Sequence, residues 1–179
     1  YEDTGGTDAG AAYIFTRSGS TWTEQAKIQA SDAGASDNFG FSVSISADGN
    51  TAIVGARYED TGGTDAGAAY IFTRSGTSWT QQAKIQASDA GAGDYFGFSV
   101  SISADGNTAI VGAYREDTGA SNAGAAYIFT RSGSTWTEQA KITASDAEAS
   151  DSFGYSVSIS GDGSTAIVGA YQEDTGGTD

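Results

Sequence analysis

The residues best suited to chemistry in this chain are carboxylates that come back at a fixed spacing. Glu2, Asp3, Asp8, Asp32 and Asp37 recur as Glu59, Asp60, Asp65, Asp89 and Asp94. They return a third time as Glu116, Asp117, Asp146 and Asp151, with Asn122 in the place of Asp8. Acids held on one surface can do three things. They can bind a hard cation such as calcium, which needs six to eight oxygens. They can hydrolyse a glycoside as an acid–base pair. They can also dock a basic partner. Glycoside chemistry needs two environments that separate the two pKa values, and near-identical repeats offer the same environments again and again. The plainer role for these acids is in solvated turns, where Asp and Gly are common for their own backbone reasons.

Two other residue sets repeat. Trp22, Trp79 and Trp136 each sit in an alternating segment, and packing between sheets is the expected role of such a residue. Arg17, Arg74 and Arg131 each close a strand candidate and are expected to pair with nearby carboxylates. The chain has no His and no Cys. Ser-His-Asp and Cys-His nucleophiles, thiolate metal sites and disulfides are therefore excluded. No P-loop, zinc spacing or Gly-rich phosphate motif is present. No enzyme activity and no cofactor are expected, with calcium as the one cofactor that the acids keep open. A net charge of −15 argues against nucleic acid, which needs a basic footprint, and against anionic membrane surfaces. No apolar run approaches the ~20 residues that span a bilayer, so no membrane insertion is expected.

What positions these residues is a 57-residue unit written three times, over 1–57, 58–114 and 115–171, with a fourth begun at 172–179. Units one and two differ at six positions, which implies very recent amplification or deliberate design. A fixed period of this size marks a repeat architecture, in which no unit can bury its apolar surface alone.

Each unit holds four strand candidates. In the first, Ala11–Arg17 is short and aromatic, and Ser18-Gly19-Ser20 is a turn. Thr21–Gln29 alternates, which places Trp22, Ala26 and Ile28 on one face. Phe39–Ser46 alternates large with small, setting Phe39, Phe41, Val43 and Ile45 against Gly and Ser. Asp48-Gly49 supplies a two-residue hairpin, and Thr51–Ala56 is apolar throughout, as in a strand buried on both faces. No segment has a helical period. Four hairpin-linked strands per unit predict an all-β chain, a β-propeller of four-stranded antiparallel blades.

FGFSVSISADGNTAIVGA resembles the FG-GAP repeat of integrin-type propellers, and the whole unit is similar to bacterial FG-GAP repeats of secreted and surface proteins. The resemblance implies an inner strand at Phe39, then TAIVGA, then AAYIFTR, with the Trp-bearing strand outermost. It also implies a secreted or cell-surface parent. The Pro of GAP is replaced by Arg57, Tyr114 and Tyr171. Integrin-type blades carry an Asp-rich calcium loop between the two inner strands. Here only Asp48 and Gly49 match it, and Ser or Ala stand where carboxylates would be, so no calcium is expected at this loop.

The implied strand order divides the chain into an outer half-blade (1–30), full blades (39–86 and 96–143) and an inner half-blade (153–170). Both ends then expose an unpaired edge, which proteins rarely leave open. The edges are Ala11, Tyr13 and Phe15 at one end and Thr165, Ile167 and Gly169 at the other. Three blades are too few for a ring. The expected partner is the chain itself, joined head to tail. A homotrimer of nine blades is preferred, because abundant Gly, Ala and Ser suit flat packing between blades; a homodimer of six comes second. The alternative is an adhesin- or lectin-like module that recognises glycan or protein through the acidic rim.

Overall fold

A computed structural model describes residues 5–174. Within it β1 (Ala12–Ser18) and β2 (Thr21–Ile28) form a two-stranded sheet. The strands β3 (Ser42–Ile45), β4 (Thr51–Ala56), β5 (Ala68–Ser75) and β6 (Ser78–Ile85) follow as a four-stranded antiparallel meander. A second meander contains β7 (Ser99–Ile102), β8 (Thr108–Ala113), β9 (Ala125–Ser132) and β10 (Thr135–Ile142). The chain ends in a two-stranded sheet of β11 (Phe153–Ile159) and β12 (Ala166–Ala170). These are β-propeller blades, two complete and flanked by two halves.

Local chemistry explains the turns. Gly19 at φ 61° and Gly49 at φ 67° take the left-handed positions of the outer and inner hairpins. In the inner hairpin Asp48 Oδ1 accepts from the Ser46 hydroxyl at 2.6 Å and from the Asn50 N–H at 3.0 Å. Ser46 Oγ in turn accepts from the Thr51 N–H at 3.0 Å. The loop is closed by its own side chains.

Burial comes from one blade face pressed on the next. Ala12, Ile14, Ala26 and Ile28 of the first half-blade pack against Val54, Tyr70, Phe72 and Trp79 of the first full blade. One blade on, Ile53, Ile71 and Ile85 meet Val100, Val111, Tyr127 and Phe129. Both interfaces leave Tyr70 and Tyr127 fully buried.

Two alternation patterns change in the structure. A β-bulge shifts register between Ile71 and Phe72, so that Ile71 opposes Ala83 while Phe72 opposes Gln81. The extra residue, Gln82, reverses the strand's parity, which puts Trp79 and Ala83 on opposite faces of the blade. The same bulge occurs at Gln25, so Trp22 does not share a face with Ala26 and Ile28. The second change is at the inner strand. Gly40, at φ 92°, turns the chain between Phe39, buried in the core, and Phe41, which is 42% exposed. Phe39 forms a parallel bridge to Gly10 instead of extending β3.

Candidate functional site

The long loops gather the acids on one rim, and most of those described there are committed to local structure. Lys84 on β6 is the centre of one cluster. Its ammonium donates to Asp32 at 2.7 Å, Glu59 at 2.8 Å and the Thr61 hydroxyl at 3.0 Å. Glu59 also accepts from the Thr61 N–H and from Gln86. Partial burial pushes the Asp32 carboxyl up, but Lys84 and the Tyr70 hydroxyl outweigh it and hold the group below the usual carboxylate range. Burial likewise pulls Lys84 down, and Asp32 and Glu59 more than restore it, so its pKa is raised. The cluster recurs one unit later. Lys141 donates to Asp89 at 2.6 Å, Glu116 at 2.8 Å and Thr118 at 2.6 Å. There the Tyr127 hydroxyl donates to Asp89 at 2.8 Å, whereas the Tyr70 hydroxyl lies beside Asp32 without reaching hydrogen-bond geometry.

The other acids close loops. Asp37 Oδ2 accepts from the Gly34 N–H at 2.7 Å, and Asp94 does the same for Gly91. Both are buried and their pKa values are raised, first by desolvation. On the rim, the first two repeats therefore each set a depressed aspartate, Asp32 or Asp89, beside an elevated one, Asp37 or Asp94, so environments differ within a unit although they recur in the next. The elevated member is sealed beneath its loop, out of reach of a substrate. Asp60 Oδ1 accepts from the Asp65 N–H at 2.8 Å, and Asp117 from the Asn122 N–H at 2.7 Å. Asp8, Asp65 and Asn122 all have left-handed backbones, a conformation that Asp and Asn tolerate, which accounts for their exchange. Glu2 and Asp3 lie outside the described residues. Among the described residues no group of three or more acids is arranged around a cation position.

Trp79 and Trp136 pack, each held by the blade before it, whereas Trp22 is exposed. Trp79 Nε1 donates to Gln25 at 3.3 Å, and Trp136 Nε1 to Gln82 at 3.0 Å. The acceptors are the bulged glutamines, so the bulge aims each one at the next blade's indole. Arg74 and Arg131 do not take the carboxylate partners expected of them. Arg74 Nε donates to the Gly76 carbonyl and Arg131 Nε to Asn107 Oδ1, because the hairpin turn offers acceptors closer than the rim acids.

One feature was missed by the sequence reading. Phe41, Phe98 and Tyr155, one per inner strand, form a run of rings with centroids 4.9 and 4.8 Å apart. Tyr114 stacks on Phe98 at 4.4 Å and Tyr171 on Tyr155 at 4.4 Å. Arg57 lies 3.8 Å above the Phe41 ring, and Arg115 lies 4.9 Å from Tyr95. The residues that replace the Pro of GAP thus build an aromatic belt. Tyr95 holds φ 59°, rare for a bulky side chain, with Tyr58 and Tyr114 against its ring at 5.2 and 5.8 Å. The signal in the sequence was the coincidence of aromatic residues at positions 41, 98 and 155 with those at 114 and 171.

The two half-blades, and the inner strand of the full blade beside the first of them, expose what the interior buries. Tyr13 and Phe15 are 48% and 50% exposed, whereas Tyr70 and Phe72 are 0% and 3%. Val43 is 60% exposed against 9% for Val100, and Ile167 is 72% exposed against 0% for Ile53. Thr165 is exposed, while Ala11 and Gly169 are half-buried. A groove of about 470 Å³ between β1 and the β3–β4 hairpin, lined by Ile14, Val43, Ile45 and Ala52, occupies the place an inner strand pair would fill.

The FG-GAP repeat profile matches residues 22–72, 79–129 and 136–179. The chain belongs to the FG-GAP repeat family. Each matched stretch runs from the outer Trp-bearing strand of one blade into the inner pair of the next, and the first two continue into that blade's third strand. No curated protein matches the sequence. A TolB chain from Acinetobacter baumannii is similar in structure at 17% identity and a TM-score of 0.46, over 88% of this chain. The FG-GAP chain spans 31% of that TolB chain's length. No helix among the described residues is long and apolar enough to cross a membrane.

Proposed function

We propose that these FG-GAP repeats are a non-catalytic structural module that completes a closed propeller by head-to-tail association of copies, a trimer of nine blades in preference to a dimer of six. The observation that carries this is complementarity. One end lacks two inner strands, the other lacks two outer strands, and the exposed positions are those buried at both internal interfaces. Non-catalysis is supported by the absence of His and Cys and by rim acids already engaged with backbone and lysine. Within a longer chain, further repeats would make the same joint. The test is light scattering on the 179-residue chain. A discrete multiple of 18.1 kDa supports the reading, and a clean monomer at micromolar concentration overturns it.

A second reading, recognition of a glycan or protein through the rim, is favoured by the cleft that Tyr114, Arg115, Asn122 and Tyr171 line. It pairs aromatic faces with polar groups, as binding pockets do. Specific binding on a glycan array that is lost on Tyr114→Ala would support it, and no binding by an intact ring would remove it.

A further inference from the structure

We infer that the joint between two copies is a composite blade of fixed register, and that it rebuilds the lysine–aspartate–tyrosine cluster across the chain boundary. This rests on the ring reading above. Both internal blades pair their second and third strands identically: Thr51 opposes Thr73, Ile53 opposes Ile71, and Ala56 opposes Ala68. The second full blade repeats this with Thr108 and Thr130, Ile110 and Ile128, and Ala113 and Ala125. Carried one repeat further, β12 of one copy pairs with β1 of the next. Thr165 then opposes Thr16, Ile167 opposes Ile14, and Ala170 opposes Ala11.

The register decides which side chains meet. Lys27 already lies 5.9 Å from the Tyr13 ring centroid, as Lys84 and Lys141 lie 5.6 and 5.5 Å from Tyr70 and Tyr127. In the complete clusters the aspartate comes from the loop that ends the preceding blade: Asp32 for Tyr70, and Asp89 for Tyr127. For Tyr13 that residue is Asp146 of the second copy, which is exposed here. Two further contacts follow from the same offset. Trp22, 64% exposed, meets Gln139 of the second copy, the bulged residue of β10. Ser145 of that copy meets Glu24, as Ser88 meets Glu138 at 2.8 and 2.9 Å. The cluster is incomplete without a second copy, so the joint has polar as well as apolar selectivity. Between near-identical strands, polar partners of this kind resist a two-residue slip that would keep every apolar residue on its own face.

Because the chain has no cysteine, the register can be read by cross-linking. Thr165→Cys protein is mixed under mild oxidation with Thr16→Cys, Ile14→Cys or Ser18→Cys protein, with light scattering on each mixture. The expected result is an oligomer in which only Thr16→Cys cross-links efficiently, since Cα atoms more than about 7 Å apart do not bridge. An oligomer that cross-links through position 14 or 18, or through none, overturns the register while leaving the ring reading intact. A monomer removes both. With the register confirmed, Asp146→Lys protein should fail to assemble, and the Asp146→Lys/Lys27→Asp double variant, which restores opposite charges at every joint of a two- or three-copy ring, should recover assembly. No recovery would overturn the shared cluster.

Discussion

Gly55 faces the backbone carbonyl of Gly97 so closely that a Cβ on Gly55 would overlap it. Gly55 is in the second strand of one blade and Gly97 at the inner edge of the next, so this contact sets how near two blades can come. Gly112 stands in the same relation to Gly154, and the Ser42 and Ser99 hydroxyls donate to those carbonyls at 2.7 Å. Gly112→Ala should therefore destabilise the chain by about 2–3 kcal/mol, at the upper end of overpacking costs because backbone is struck. Gly169 meets only its own Ser156. Gly169→Ala in a Ser156→Ala background should leave the single chain's melt close to that of Ser156→Ala alone and weaken assembly. Thermal melts at low concentration, with scattering at high concentration, separate the two effects.

Lys84→Met should cost about 2 kcal/mol, because it leaves Glu59 buried among neutral donors alone. Lys84→Arg should cost less, since the charge survives although the compact three-way geometry does not. Urea titrations of the three proteins give the ranking. Equal stability of Lys84→Met and the parent would show that the cluster adds nothing net.

The blade pattern was legible because period-2 alternation, Asp-Gly hairpins and a strict repeat all act locally. The bulge was not. Gln25, Gln82 and Gln139 read as ordinary exposed strand residues, and only pairing with the neighbouring strand shows that each is an extra residue turned toward the next blade's tryptophan. The break at Gly40 was hidden for a related reason: Phe39 and Phe41 fit a clean alternation until a left-handed glycine separates them. The rim acids were legible as a set but not in their roles. Lys84 lies 52 residues from Asp32 and 25 from Glu59, and nothing in a linear reading brings the three together.

Stability should fall in alkali and respond weakly in acid. Lys84 and Lys141 have folded pKa values above 10.5, and Tyr70 and Tyr127 above 10.0. A raised group contributes fully below its unfolded value and loses that contribution as pH rises through the folded one. Both sets therefore destabilise the fold above about pH 10, and tyrosinate absorbance should appear together with unfolding. In acid, the depressed Asp32 and Asp89 lose their contribution as pH falls below 3.8. The raised Asp37 and Asp94 act the other way, since burial disfavours their charge. Asp94→Asn keeps an acceptor for the Gly91 N–H, and it should raise the melting temperature at pH 7 and not at pH 3. A lower melting temperature at pH 7 would show that the charge itself is needed.

Calcium should leave the melting temperature unchanged, with chelator as the control. A bound ion at a hundredfold excess over its dissociation constant would stabilise by roughly 2.7 kcal/mol, well within what a melt detects. A rise of several degrees would return a cation site to the rim.

Trp22 offers a direct view of the joint. Trp79 and Trp136 are half-buried and bonded to bulged glutamines within the chain, so their emission should not depend on protein concentration. Trp22 is exposed, and its predicted acceptor belongs to another copy. Emission should move to shorter wavelength as concentration rises through the assembly range, and Trp22→Phe should abolish the shift. Gln139→Ala should shrink it without changing the other two indoles, because Gln139 has no tryptophan of its own chain to hold. A shift that survives Trp22→Phe would place the buried contact elsewhere on the molecule, and the two half-blades would no longer be its source.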